Sequence, residues 1–225
     1  MNYETLITSL DDGIGIVTLN RPGKMNALTT QMRAEIPHAI KALQVQARVI
    51  VLTGVGRAFC TGQDLGDAAG GGAIDLERVL RDEYEPILRM IFDCPVPTIA
   101  AVNGPADAGG TYLMPRMMGG AKAMGAALFA DKISAKQADD WGLIWESVAD
   151  DDFDAHWRGR AEHLANGPTL AYRAVKEAIR GSWHNTVSDQ LETEARLQGE
   201  CGASRDFREG VVAFTEKRPA SFEGR

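Results

Sequence analysis

Cysteine is scarce in this 225-residue chain: Cys60, Cys94 and Cys201 are scattered, with no CxxC pair among them. That spacing speaks against a disulfide framework and against a thiolate zinc site, and it fits a reducing cytoplasm. Each thiol is expected to be a small buried hydrophobe rather than a nucleophile. The four histidines, His38, His156, His163 and His184, form no cluster, so no metal centre is expected. Positive charge is also short. A net charge of −7 lacks the basic face that a nucleic-acid binder needs, but a few local Lys and Arg could still hold one anionic ligand. No apolar run reaches the roughly 18 residues of a membrane span. The N-terminal stretch MNYETLITSLDDGIGIV has no basic patch followed by an apolar segment, so no secretion signal is expected.

What is present is a hydrophobic fraction of 44%, enough for one sizeable core. Residues 4–20 read as a hairpin with Asp11-Asp12-Gly13 at its turn and Ile14, Ile16, Val17 and Leu19 as apolar positions. Asn26 or the threonines beside it would cap a helix over 29–44, with Met32, Ile36, Ile40 and Leu43 on one face and Pro37 as a kink or interruption. ARVIVLTG reads as a fully buried parallel strand, and CPVPTIAAVNG as a second one. Between them lie a loop with a Gly-rich tail at 66–72, expected to be flexible, and a helix over 75–93 carrying Leu76, Val79, Leu80, Ile87, Leu88 and Ile91. Further helices are expected over 116–130, from Ser134 to a stop at Gly142, and over 153–165, 168–181, 186–199 and the SRDFREGVVAFTEKR stretch. LIWESV reads as a short strand. Met114, Met117, Met118 and Met124 are expected as core or pocket filler, Trp141 and Trp145 as packing residues, and Asp150–Asp152 as a solvated turn. Strands alternating with helices give an α/β class, organised as a core over 1–165 and a helical C-terminal region over 166–225.

Two junctions could carry chemistry, LTGVGRAFCTGQDL and VNGPADAGGT. Each sets glycines just beyond a buried strand, where ligands bind in open α/β sheets and where backbone N–H groups can be left free. Two such amides converging on one carbonyl oxygen would make an oxyanion hole; glycine turns of this kind also occur for purely structural reasons. Asp107 has two readings as well. It can cap the helix that follows. Or, in an apolar pocket, its carboxyl would titrate nearer the working pH and move a proton on carbon.

The stretches GIVTLNRPGKMNAL, VIVLTGVGRAFCTGQDL, PTIAAVNGPA, DAGGTYLMPR and AFTEKRPASF, which run from one end of the chain to the other, resemble the enoyl-CoA hydratase/isomerase (crotonase) superfamily. KAMGAALF, ISAKQADDWGLIWESV and SRDFREGVVAFTEKR look most like its phenylacetate-degradation branch, the 2-(1,2-epoxy-1,2-dihydrophenyl)acetyl-CoA isomerases. The resemblance implies a crotonase-like spiral of ββα turns with a C-terminal helical region that trimerises, as a homotrimer or homohexamer. It implies an acyl-CoA thioester as substrate, with no separate cofactor and no nucleic-acid or membrane partner. Carried over by position, the Gln63 amide would grip the thioester oxygen and Asp107 would shuttle the proton. Cys60, Thr61, Gly62, Asp64 and Leu65 would line the CoA together with Met25 and Ala27, and Lys24 would contact phosphate. Phe214 and Lys217 match positions near the CoA of an adjoining subunit. Ala106 stands where the family phrase has proline.

The resemblance also implies a gap. In the family, NGPA runs on through more glycines, a helix, a strand and a loop before DAGGT, a stretch of about thirty residues with no counterpart between Ala106 and Asp107. That stretch supplies the second oxyanion amide and the position of a hydratase's second glutamate. Either it belongs to the native protein, or the gene has lost it, or NGPADAGG itself stands in for the amide loop. In the last case Ala108 or Gly109 would be the donor and Asp107 would not be the acid. Hydration needs two carboxylates and proton transfer on carbon needs one, so the single matching acid favours isomerisation. A catalytically silent acyl-CoA binder is the reading of another class.

Overall fold

The computed structural model describes residues 2–64, 66, 75–104 and 110–225. Strand β1 (Leu6–Asp11) turns through Asp12 and Gly13 into β2 (Ile14–Leu19), an antiparallel hairpin in full register. Both turn residues have positive φ, 46° and 78°, the backbone that a two-residue hairpin turn demands. β2 then pairs in parallel with β3 (Val49–Gly54), and β3 with β4 (Thr98–Ala100), giving the sheet order β1-β2-β3-β4. β4 is shorter than its apolar sequence suggests: it holds three paired residues, and Ala100 and Val102 are exposed.

The sheet is covered on both faces, which is why β3 is a continuous apolar run. Ile50 and Leu52 face helix α1 (Thr30–Leu43), where Met32, Ile36 and Ile40 are buried as their spacing predicts. Val49 and Val51 face the other way, onto Trp157, Ala161 and Ala165 of helix α7 (Phe153–Ala165). Ile14 and Ile16 of β2 pack on that second face, so β2 is apolar on both sides. Thr29 caps α1 by accepting the Met32 N–H at 3.2 Å. Pro37 does not break α1, although it has no N–H for the Arg33 carbonyl one turn back. Glu35 pins the chain start to α1, accepting from the Glu4 and Thr5 amides and the Thr5 hydroxyl.

Between β3 and β4 runs one helical stretch, α2 (Leu76–Val79), a π-helical turn (Leu80–Tyr84) and α3 (Glu85–Asp93). Val79 and Ile87 are buried in it, whereas Leu76, Leu80 and Leu88 are exposed. The π turn explains part of this, because a wider turn rotates later side chains off a 3.6-residue stripe. Beyond β4 come α4 (Leu113–Met118), α5 (Gly120–Phe129), α6 (Ala135–Asp140) and α7. The helix expected over 116–130 is therefore two helices, split at Gly119 with φ 82°. Helix α6 starts on the expected Ser134–Gln137 capping box.

LIWESV is not a strand. The Leu143 and Ile144 amides donate to the Ala138 carbonyl and close α6, and the Ser147 amide donates to Asp139. Glu146 is tied to Arg160 and His156, so the segment is spent on caps and side chains rather than on a ladder. Trp145 is not a packing residue in the chain; it is 84% exposed. Of the four methionines, Met118 is buried, while Met117 and Met124 are exposed. Asp150–Asp152 forms a short 3₁₀ turn. Cys60 and Cys94 are buried, as small hydrophobes would be, and Cys201 is half-buried.

The C-terminal helices are α8 (Thr169–Gly181), α9 (Val187–Gly202) and α10 (Arg205–Glu216). Helix α8 turns its cations inward. Lys176 donates to the Cys94 and Val96 carbonyls, Arg180 donates to the Phe92 carbonyl, and burial pushes the Lys176 ammonium below its ordinary pKa. Val175 and Ile179 of the same helix face solvent. Arg48, just before β3, donates to Gly167, Thr169 and Phe222, which fastens α8 and the chain end to the core. No helix among the described residues is long and apolar enough to cross a membrane.

Candidate active site

Parallel strands β2, β3 and β4 bring three loops to one end of the sheet: 20–28, 55–64 and 101–104. That end is where α/β sheets place ligands. Asn26 organises the first two loops. It is fully buried with φ 55°, accepts the Arg21 amide at 2.8 Å, and donates to the Val55 and Ala58 carbonyls at 3.1 and 2.7 Å. Its part is a staple between loops, and the helix cap falls to Thr29. Asn103 adds the third loop, donating to the Gly54 and Gly56 carbonyls at 2.8 and 2.7 Å. Beside it Gly104 (φ 148°) lies so close that a Cβ there would overlap the Arg57 carbonyl, so only glycine closes this junction.

The first two loops are zipped along their length. Thr61 donates its hydroxyl to the Met25 carbonyl, Leu28 its amide to Gly62, and Asp64 its amide to Leu28. The last two bonds make a one-residue parallel bridge between Leu28 and Gln63. In such a bridge the flanking residues, Gly62 and Asp64, bond to Leu28, and the N–H and C=O of Gln63 point to the opposite side. Among the described residues no acceptor takes the Gln63 N–H. Among the described residues, the Gln63 main-chain donor is thus left unclaimed in the loop that follows β3.

The other expected residues fall as follows. Lys24 ends a 3₁₀ turn (Pro22–Lys24) and is exposed, as is Met25, while Ala27 is half-buried beside the bridge. Cys60 is buried and its Sγ accepts the Gly62 amide at 3.4 Å. The Asp64 carboxylate pairs with Arg21 at 2.8 Å and accepts the Gly66 amide, so it braces the loop. Leu65 and Asp107 lie outside the described residues, as do most of the Gly-rich tail and the Ala106–Asp107 join. Phe214 and Lys217 are not brought to these loops within one chain: α10 packs on α9, Phe214 is 87% exposed, and Lys217 closes α10 with φ 56°. Among the described residues no three His, Cys, Asp or Glu side chains could share a metal.

Sequence reasoning missed Arg33, Asn103 and the exposed Arg57 on the 55–64 loop. Arg33 lies one turn into a helix where it reads as surface. Asn103 carries the clearest missed signal, an Asn-Gly pair directly after a buried strand.

The family model for enoyl-CoA hydratase/isomerase matches residues 9–114 and 105–225, two stretches that overlap at the join. A Rhodobacter capsulatus protein named as a probable enoyl-CoA hydratase is 49% identical over 258 positions, covering 100% of both chains. The Escherichia coli 1,2-epoxyphenylacetyl-CoA isomerase is 35% identical over 260 positions, covering 99% of both. An enoyl-CoA hydratase subunit from Geobacillus kaustophilus superposes with a TM-score of 0.88 at 28% identity, covering 99% of both chains. The first alignment spans 258 positions against 225 residues here, which leaves at least 33 (258 less 225) without a counterpart in this chain. The fold is that of the crotonases, and the chain belongs to the enoyl-CoA hydratase/isomerase family.

Proposed function

We propose that this enzyme is an acyl-CoA isomerase that holds a thioester carbonyl on the Gln63 amide while Asp107 carries a proton from one substrate carbon to another. The observation that carries the reading is the Leu28–Gln63 bridge, which points out from the loop after β3 an N–H that no described residue accepts. Negative charge developing on the thioester oxygen would meet a fixed dipole there, and donors of this kind are worth roughly 3–4 kcal/mol each in a transition state. The C–H bond that breaks leaves its proton on the Asp107 carboxylate and its electron pair in the thioester enolate. The pair then shifts along the conjugated system and takes the proton back at the second carbon, any epoxide ring bond rearranging within the same molecule, so the step balances without water. Met25, Ala27, Cys60, Thr61, Gly62, Asp64 and Leu65 form the CoA-facing stretches, with Lys24 as the phosphate contact. The coenzyme A thioester is the substrate, and no separate cofactor takes part.

The 35% identity to a 1,2-epoxyphenylacetyl-CoA isomerase supports a ring-epoxidised phenylacetyl-CoA as substrate. The 49% identity to a protein named as a hydratase supports the alternative, hydration of an enoyl-CoA. The shorter chain favours one further reading, a silent acyl-CoA binder whose second amide is missing. We place the protein in the cytoplasm as a homotrimer or homohexamer. Exposed Val175, Ile179, Val187, Leu191 and Phe214 on the C-terminal helices support the assembly, since apolar side chains left in solvent on helices suit a subunit contact.

Purified protein offered ring-epoxidised phenylacetyl-CoA should rearrange it, and should hydrate crotonyl-CoA slowly or not at all. Rapid hydration of crotonyl-CoA would assign the protein to the hydratases. Binding of both esters with turnover of neither would leave the silent binder.

A further inference from the structure

We infer that Arg33 is a positioning residue for the Gln63 amide, acting through the Leu28 carbonyl and anchored by Glu83. The inference rests on the reading of Gln63 as the thioester-carbonyl donor.

Arg33 is 3% exposed, in the first turn of α1, and its guanidinium is divided among three elements. Nη1 donates to the Leu28 carbonyl at 2.6 Å, Nε to Glu83 Oε2 at 2.8 Å, and Nη2 to the Thr30 hydroxyl at 3.0 Å. Nη2 also lies 2.7 Å from Glu83 Oε2, and the guanidinium carbon sits 5.2 Å from the Tyr84 ring centroid. The Leu28 carbonyl thus accepts two bonds, one from Arg33 and one from the Asp64 amide at 3.1 Å. A carbonyl oxygen has two lone pairs, and both are committed here. The direction of Leu28 fixes the bridge, and the bridge fixes which way the Gln63 N–H points.

Only arginine fits this place. Its planar fork spans a carbonyl, a carboxylate and a hydroxyl at once, whereas a lysine ammonium is a single point that could serve Leu28 or Glu83 but not hold both in register. Glu83 belongs to the π turn Leu80–Tyr84, and π turns mark places where a helix is bent to a purpose. Arg33 therefore ties the Leu76–Asp93 helical stretch to the donor loop. Arg21 braces the same segment from the other side, donating to the Ala27 carbonyl at 2.5 Å while paired with Asp64. Residues 27 and 28 are clamped between two arginines, and a donor that must be aimed to a fraction of an ångström is held by both.

The test reads the carbonyl itself. Butyryl-CoA labelled with carbon-13 at the thioester carbonyl is bound to the full chain, and its infrared stretch is compared with that of the free ester. Wild-type protein should lower the frequency. The Arg33→Lys variant, and Arg33→Met combined with Glu83→Gln so that no lone charge stays buried, should bring the band most of the way back. Dissociation constants for free CoA should change by no more than about twofold, because the CoA-facing loops remain. Turnover of the substrate identified for the wild type should fall by about ten- to a hundredfold, the scale of a misplaced group. A band equally shifted in wild type and both variants, whatever their melting temperatures, overturns the assignment of Arg33. A wild-type band that does not move on binding overturns the Gln63 reading and this inference with it.

Discussion

Asp107 and Asn26 show how differently a polar residue can matter in this chain. If Asp107 is the proton carrier, Asp107→Asn should lower turnover about a hundredfold, the usual worth of general acid–base catalysis, and leave CoA affinity unchanged. A variant with full turnover would return Asp107 to the role of a helix cap, and steady-state kinetics beside calorimetry of CoA binding separates the two. Asn26 has a purely architectural task, and its loss should be felt in stability. Asn26→Ala strands one buried carbonyl, one part-buried carbonyl and the Arg21 amide, at a cost of about 3 kcal/mol, and leaves alanine in a left-handed backbone that asparagine tolerates better. Asn26→Gly loses the same bonds without that strain, so it should be more stable than the alanine variant by about 1 kcal/mol. Urea midpoints of the two variants check both statements. The sequence offered Asn26 beside the threonines as a cap because asparagine, like threonine, favours helix starts, and Thr29 takes that role. Asparagine favours left-handed backbone for the same reason, a short amide that bonds near its own main chain, and composition does not tell the two apart.

At the scale of elements, what was legible followed periodicity and caps. The hairpin, α1, β3, the Ser134 capping box and the C-terminal helices form where pattern and punctuation agree. The failures share a cause: burial belongs to neighbours rather than to the residue. Met124 and Trp145 are apolar enough for a core, but the described residues leave both largely exposed. LIWESV has the composition of a strand, but its amides are spent on the Ala138 carbonyl and the Asp139 carboxylate. Its anchor is Glu146, where the Arg160 and His156 hydrogen bonds hold the carboxyl down at about 2 from an ordinary 4.5. A carboxyl depressed in the folded state stabilises the protein above the unfolded value of 4.5, and that contribution is lost as pH falls towards 2. The wild type should therefore lose more stability than Glu146→Gln between pH 5 and pH 2, read from urea midpoints along a pH series. Parallel curves would mean that the turn is held by its Asp139 bonds alone. The role of the Gln63 amide came only from family resemblance, and its bridge to Leu28 was not legible, because a bridge of one residue leaves no periodic trace.

The largest question concerns the whole molecule and lies at the join. We propose that about thirty residues have no counterpart between Ala106 and Asp107, as the surplus of at least 33 alignment positions (258 less 225) suggests. The fold supplies a physical reason to expect consequences. β4 pairs with β3 through Pro97, Ile99 and Ala101, so the N–H groups of Thr98, Ala100 and Val102 point outward, and no further strand of the described residues covers them. Ala100 and Val102 are exposed at that edge, and an open apolar edge is a template for unwanted pairing. A protein of this sequence should bind an apolar-surface dye such as ANS and tend to self-associate. Inserting the corresponding segment of the Rhodobacter capsulatus relative between Ala106 and Asp107 should cover the edge. Dye binding should then fall, the melting temperature should rise by several degrees, and any missing oxyanion donor should return as turnover. If the insertion changes neither the dye signal nor the melting temperature, the short chain already closes its own sheet. β4 would then be a true edge of a complete fold, and the silent-binder reading would gain weight, because the shorter chain would be the native one.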